Sequence, residues 1–255
     1  MKHSFKWLLS VLLCLMLVGG AFAQGLELAQ PLRGGRTLTD DGSTEGNYTF
    51  SYSFPQFAAQ TQTDQAINDY YQAVAQDMQS GMNIGMIDSA ALDLEMGTSP
   101  ALMELDYQIM LNDDLYLSVV QSARQVAGNT ESDSVSATTF ARDGLYAGQP
   151  INLSQVLGLE QEDDELTDVE STAEKLAYRL VWEIVKRDSE NIEAEYLDGV
   201  SEDTLREAFD PESDFYMDSD ENIVFFIQSG VIAGSIAGIL TFPFAPAELL
   251  SAVKE

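Results

Sequence analysis

The sequence predicts an α+β fold: antiparallel strands with helices packed mainly on one face, in two closely joined subdomains. Three observations carry that expectation. Tyr48 to Phe54 and Leu102 to Leu111 alternate apolar and polar residues at the two-residue period of a half-buried strand. Two other segments, one holding Ile67, Tyr70, Tyr71, Val74 and Met78 and one holding Leu176, Leu180, Val181, Ile184 and Val185, repeat apolar residues at helical spacing. The C-terminal stretch from Asp214 to Leu250 contains three β-rich runs, Phe215 to Met217, Asn222 to Gln228 and Ile239 to Phe244, which complete a sheet.

Taken in order, the chain opens with an export pattern. Lys2 and Lys6 flank the start of an apolar run from Trp7 to Val18, and Ala21-Phe22-Ala23 supplies small residues two apart, so residues 1–23 read as a signal peptide cut before Gln24. A spanning helix needs roughly 20 apolar residues. Retention of this shorter run as an anchor is the weaker alternative, and no transmembrane segment is expected after cleavage. Cys14 follows Leu12 and Leu13 in the middle of the run, where a lipidation site would want small neighbours. The expected location is secreted or extracellular, in association with the cell envelope.

Cleavage would also remove the only histidine, His3, and the only cysteine, Cys14. What remains has no Cys nucleophile, no Ser-His-Asp triad, no disulfide framework and no His/Cys zinc set, and the chain is expected not to be an enzyme. Charge narrows the partners further. Against 42 Asp+Glu stand 12 Lys+Arg, a net charge of -30, which loss of Lys2 and Lys6 takes to -32. No Lys or Arg occurs from Thr37 through Ala123. Such a field repels nucleic acid and favours cationic partners.

Gln24 to Gly46, with Pro31, Gly34-Gly35 and Asp40-Asp41-Gly42, reads as a flexible leader. Tyr48 to Phe54 is the first strand, ended by Pro55, and Thr63 and Asp64 supply N-cap chemistry for a helix to about Ser80. From Met82 to Pro100 a helix and an irregular loop both fit. Leu102 to Leu111 places Met103, Leu105, Tyr107, Ile109 and Leu111 on one face, Asn112-Asp113-Asp114 turns, and Leu115 to Gln121 returns. Those turn residues suit a hairpin for their own hydrogen bonding, with cation binding as the lesser alternative. Gly128 to Ser134 is a polar connection into a strand from Val135 to Ala141. A short helix begins at Ser154, an acidic linker covers Glu160 to Glu165, and Thr167 or Asp168 caps the strongest helix. Ser201 caps another helix, stopped at Asp210-Pro211.

SYSFPQF, followed by a helix containing Ile67-Asn68 and a hairpin YQIMLNDDLYLSVV, resembles the N-terminal extracellular module of PdaC-type peptidoglycan deacetylases. DGLYAGQPINLSQVLGL and the C-terminal FYMDSDENIVFFIQSGVIAGSIAGILTFPFAPAEL resemble the companion domain of unknown function beside it. The resemblance implies a first module over residues 47–128 and a companion domain over 129–255, the pair that forms the extracellular part of lysozyme-binding RsiV-type anti-sigma factors. No segment corresponds to the deacetylase catalytic domain. Where relatives carry a Gly-Gly-Ala-His type segment this chain has Ala127-Gly128-Asn129-Thr130, and Ser229 to Gly234 replaces a Tyr-rich segment.

These readings set three functional expectations. The first is a non-catalytic binding or sensing module for a cationic extracellular protein such as lysozyme, or for a cell-wall polymer, with Ser229, Gly230, Val231 and Ile232 as the candidate contact segment. The second is a calcium site at Asp214, Asp218, Asp220 and Asn222, oxygen donors at spacings that suit a hard cation. The third is a glycan hydrolase built on two carboxylates. No other cofactor is expected.

Overall fold

The computed structural model describes residues 25–38, 48–81, 101–127, 130–159, 171–189 and 196–251. The expected signal segment, the stretch 82–100 and the acidic linker fall outside them. Within them the α+β expectation holds. One sheet has six strands in chain order: β1 (Leu32–Leu38), β2 (Tyr48–Phe54), β3 (Ala101–Asn112), β4 (Tyr116–Ala127), β5 (Thr130–Ala141) and β6 (Pro150–Ile151). Every neighbouring pair is antiparallel except β2 and β3, which are parallel because helix α1 (Gln62–Gly81) lies between them in the chain. Helices α2 (Leu153–Leu157), α3 (Thr172–Ser189) and α4 (Glu202–Ala208) follow. A three-stranded antiparallel sheet, β7 (Phe215–Met217), β8 (Ile223–Ile227) and β9 (Leu240–Phe244), and helix α5 (Pro246–Ser251) complete the described chain.

The expected flexible leader contains strand β1. It pairs with β2 from Leu32↔Phe54 to Leu38↔Tyr48. Its residues carry no apolar alternation because backbone pairing, and not burial, holds it. The Gly34-Gly35 pair, which reads as a loop signal, serves close approach instead: a Cβ on Gly34 would lie 2.2 Å from the Tyr52 hydroxyl oxygen.

The first core lies between the sheet and α1. Phe50, Tyr52 and Phe54 of β2 meet Ile67, Tyr71 and Ala75 of α1, with Leu117, Val119 and Phe140 from the neighbouring strands. Thr61, in place of Thr63, is the N-cap of helix α1, and Asp64 supplies the other half of the cap. The Thr61 hydroxyl accepts from the Asp64 amide at 3.1 Å, and the Asp64 carboxylate accepts from the Gln60 and Thr61 amides at 2.9 Å each. The buried Asn68 side chain fixes the incoming strand end, taking both the N–H and the C=O of Phe57 at 2.9 Å.

Leu111 departs from the expected face. The β3–β4 register passes from Ile109↔Val119 to Leu111↔Ser118, so Met110 is an extra residue in a β-bulge. Side chains flip face at such an insertion. Leu105 and Ile109 pack on the first core, while Leu111 joins the second, which gathers Ala177, Tyr178 and Val181 of α3, Leu205 of α4, and Phe215, Phe225 and Phe242 of the small sheet.

Helix α3 starts at Thr172 with Ser171 as its cap, in place of Thr167 or Asp168, which lie outside the described residues. Ser171 and Glu174 form a reciprocal capping box: the Ser171 hydroxyl accepts from the Glu174 amide at 3.0 Å, and the Glu174 carboxylate accepts from the Ser171 amide. Helix α2 is capped by Asn152, one residue earlier than its expected start permits. Glu212 braces both helix N-termini, accepting from the Ser154 amide at 2.9 Å and from the Ser154 and Ser171 hydroxyls.

The first sheet runs on through β5 and β6, and the second core is built mainly from the chain after Ile151, joined by Leu111 and Tyr116 of the large sheet. The small sheet meets the outer face of the large one along the free edge of β7, where the Met217 amide donates to the buried Ser118 hydroxyl at 3.0 Å and Ser118 shares a 2.9 Å hydrogen bond with Thr139.

A candidate binding groove on the outer sheet face

Strand period places two sets of side chains on the large sheet. The set facing α1 supplies the first core; the other set is mostly polar over the middle of β2 to β5. One cross-strand row runs Ser51, Glu104, Arg124, Asp133, and the next includes Arg33 opposite Ser53, Asp106 opposite Ser122, and Ser122 opposite Val135. The C-terminal unit covers the other end of this face, at Leu111, Ser118 and Thr139. What it leaves open is a groove of about 650 Å³ lined by these residues, with Ile239 from the β8–β9 connection as an apolar wall.

Arg124 stands in the middle of the groove. Its guanidinium donates to Glu131 at 2.6 Å and to Glu104 at 3.3 Å, and all three side chains are about half exposed. Exposed pairs of this kind add little stability but fix orientation. Asp106 uses one carboxylate oxygen locally, accepting from the Tyr107 amide at 2.9 Å. Asp133 has no ion pair among the described residues. The groove therefore offers two carboxylates, Asp106 and Asp133, that form no contact ion pair among the described residues, set beside Arg33 and Arg124 and among serine hydroxyls that both donate and accept.

The expected contact segment lies beside this groove and contributes unevenly. The Ser229 hydroxyl donates to the Ser235 carbonyl at 3.2 Å, and Gly230 takes a left-handed φ of 79°. Val231 is exposed, but Ile232 is fully buried in the second core and has no surface to offer a ligand. That correction has a simple cause: the Leu197 amide and a bridge between Tyr196 and Ala233 pull this stretch inward. The same connection supplies Ile239 to the groove, a residue the sequence marked only as the start of a strand.

The four expected calcium ligands are not brought together. Asp218 organises the β7–β8 turn, with one carboxylate oxygen accepting from the Asp220 and Asn222 amides at 2.9 Å and the other from the Asn222 side chain at 3.1 Å. Asp214 stands before the other end of β7 and accepts from the Asp210 amide at 2.8 Å. Burial raises the pKa of Asp214; the Asp210 amide works against that, and the Asp210 charge adds to it. No group of three or more His, Cys, Asp or Glu among the described residues is placed to hold a metal ion. The Asn112-Asp113-Asp114 segment is a hairpin turn: Asp113 accepts from the Leu115 and Tyr116 amides, while the Asn112 side chain pairs with both backbone groups of Leu26. No described helix is long and apolar enough to cross a membrane.

This arrangement of sheets and helices superposes on the crystal structure of a DUF3298 family member from Bacteroides fragilis, with a TM-score of 0.57 over 89% of this chain and 94% of that one, at 13% identity. The fold is the one seen in DUF3298 proteins. A DUF3298 family protein from Pseudomonas aeruginosa superposes over the same shares with a TM-score of 0.50 at 10% identity. DUF3298 denotes a domain of unknown function, and at these identities the likeness is one of fold. No family model and no curated protein matches the sequence.

Proposed function

We propose that this is a secreted, non-catalytic binding module of the cell envelope, and that the outer-face groove of the DUF3298-like fold takes a polar, cationic segment of a partner protein. The observation that carries the reading is the groove itself: an open polar face in which Asp106 and Asp133 form no contact ion pair among the described residues, on a chain of net charge -30. Complementary charge raises association rate and selects the sign of the partner. The resemblance to the lysozyme-binding RsiV-type extracellular region supports a basic protein in that role, and the N-terminal export pattern supports the location.

The groove gives less support to catalysis. General-acid work by a carboxylate draws on a water-poor setting that holds its proton. Glu104 and Asp106 are both exposed, and Glu104 is paired with Arg124. Calorimetric titration of the full secreted chain with lysozyme, a small basic protein, tests the proposal. Salt-sensitive binding that weakens in a Glu104→Gln/Asp106→Asn variant supports it; no heat at low salt contradicts it.

A further inference from the structure

Among the described residues, strand β5 has a free edge over its first part. β4 pairs with it along its whole length, from Ala127↔Thr130 to Tyr116↔Ala141, whereas β6 covers only Thr139 and Phe140. Farther back, the Val135 amide donates to the Gln228 side-chain oxygen at 3.1 Å and its carbonyl accepts from the Gln228 side-chain nitrogen at 2.7 Å. Those bonds show which way Val135 presents its backbone. In an antiparallel ladder the two backbone groups of one residue point to the same side, and alternate residues share that side. Glu131 and Asp133 therefore turn their N–H and C=O groups off the sheet, and no described group pairs with them. Every residue from Thr130 to Ser134 is exposed.

The side chains of Glu131 and Asp133 lie on the groove face, since Asp133 is in register with Arg124 and lines the groove, and Glu131 pairs with Arg124. Exposed edges are ordinarily blunted by lysine, proline, bulges or a covering element. Here the edge carries negative charge, which repels a second copy of this acidic chain and admits a basic strand. We propose that an extended basic segment of the partner adds to this edge as a seventh strand, pairing its backbone with Glu131 and Asp133. It carries Lys or Arg at every second position on the groove face. This rests on the reading of the groove as the site for a basic partner, and adds to it a binding mode and a sequence pattern.

The mode follows from strand addition, in which main-chain hydrogen bonds hold the peptide and alternate side chains give specificity. One basic residue stands opposite Asp133, which has no ion pair among the described residues. The next stands opposite Glu131, sharing it with Arg124. Pairing stops at Val135, where the Gln228 carboxamide already occupies the edge.

The test uses the full secreted chain and two synthetic peptides of one composition, one alternating lysine with threonine and one with its lysines in a single block. Affinity is read by calorimetry and the Glu131 and Asp133 amides by NMR. The alternating peptide is expected to bind about tenfold or more tightly than the blocked one. Asp133→Pro removes an N–H that faces solvent, a change edge strands tolerate, and should lose most of that affinity; Asp133→Asn should lose less. N-methylation of the alternating peptide's edge-facing amides leaves the protein untouched and should abolish the preference. Equal binding of the two peptides, or indifference to N-methylation, overturns strand addition. If the Glu104→Gln/Asp106→Asn variant weakens binding while N-methylation does not, the groove reading stands and strand addition falls. If neither peptide nor lysozyme binds, both fall.

Discussion

The carboxamide of Gln228 takes both backbone groups of Val135, donating to its carbonyl at 2.7 Å and accepting from its amide at 3.1 Å. The two residues are 93 positions apart. This side chain acts as a one-residue strand, closing the edge of β5 at one point and fastening the small sheet to the large one. Gln228→Ala should leave two partly buried backbone groups unpaired and destabilise the chain by about 1–3 kcal/mol. Urea denaturation measures the loss, and faster hydrogen exchange of the Val135 amide would locate it at the junction.

Leu111→Ala should cost about 2–5 kcal/mol, since Leu111 is buried in the second core. Its neighbour in the pattern, Tyr107, is half-buried on the other face and should cost less when truncated. Denaturant midpoints for Leu111→Ala and Tyr107→Ala compare the two sides of the bulge; equal costs would contradict the placement of Leu111 across it.

Gly34→Ala tests whether β1 belongs to the fold. An added methyl meets the Tyr52 ring, whose hydroxyl also accepts from the Gln79 side chain, so Tyr52 has to shift within a packed core. The expected loss is on the order of 1–3 kcal/mol. A Gly34→Ala chain with an unchanged melting temperature would return β1 to the status of a loose leader.

Two carboxylates set opposite pH dependences. Burial alone would raise the pKa of Asp64, but hydrogen bonds from Gln60 and Thr61, with the Arg142 charge, outweigh it and leave the pKa below the ordinary value of about 3.9. The folded state thus holds this proton less tightly than the unfolded chain. The contribution is present above the ordinary pKa and is lost as pH falls through the lowered one. Asp64→Ala should cost about 1 kcal/mol at neutral pH, with the difference from wild type closing in strong acid. Asp214 runs the other way: burial raises its pKa, so its ionisation disfavours the folded state as pH rises through the raised value. Asp214→Asn keeps an acceptor for the Asp210 amide and should remove that penalty at neutral pH. Chemical denaturation between pH 2 and pH 7 checks both slopes.

The fold was legible wherever burial imposed a period. Phe50, Tyr52 and Phe54, the α1 stripe at Ile67 and Tyr71, and the C-terminal Phe215, Phe225 and Phe242 all face cores as their spacing predicts. Strands held by backbone pairing with exposed side chains left no such trace. β1 looked like a leader, and the first part of β5, Thr130 to Ser134, looked like a polar connection. The bulge at Met110 inverted the face of Leu111 because a one-residue insertion leaves no mark on composition. The Ser201 cap was legible, but the Ser171 cap was hidden: Ser171 sits among other candidate caps, and only the reciprocal bond with Glu174 distinguishes it. The groove was the least legible feature, since its residues come from strands far apart in sequence and pair only through register.

The central claim is that the outer face binds a basic partner through its groove carboxylates. Its most direct test is calorimetric titration of lysozyme into the parent protein and into the Asp106→Asn/Asp133→Asn variant, at about 50 and 150 mM salt. The account predicts binding by the parent chain that weakens at the higher salt and falls about tenfold or more in the variant. Equal affinity in the two proteins, or no binding by the parent chain at either salt, would contradict it.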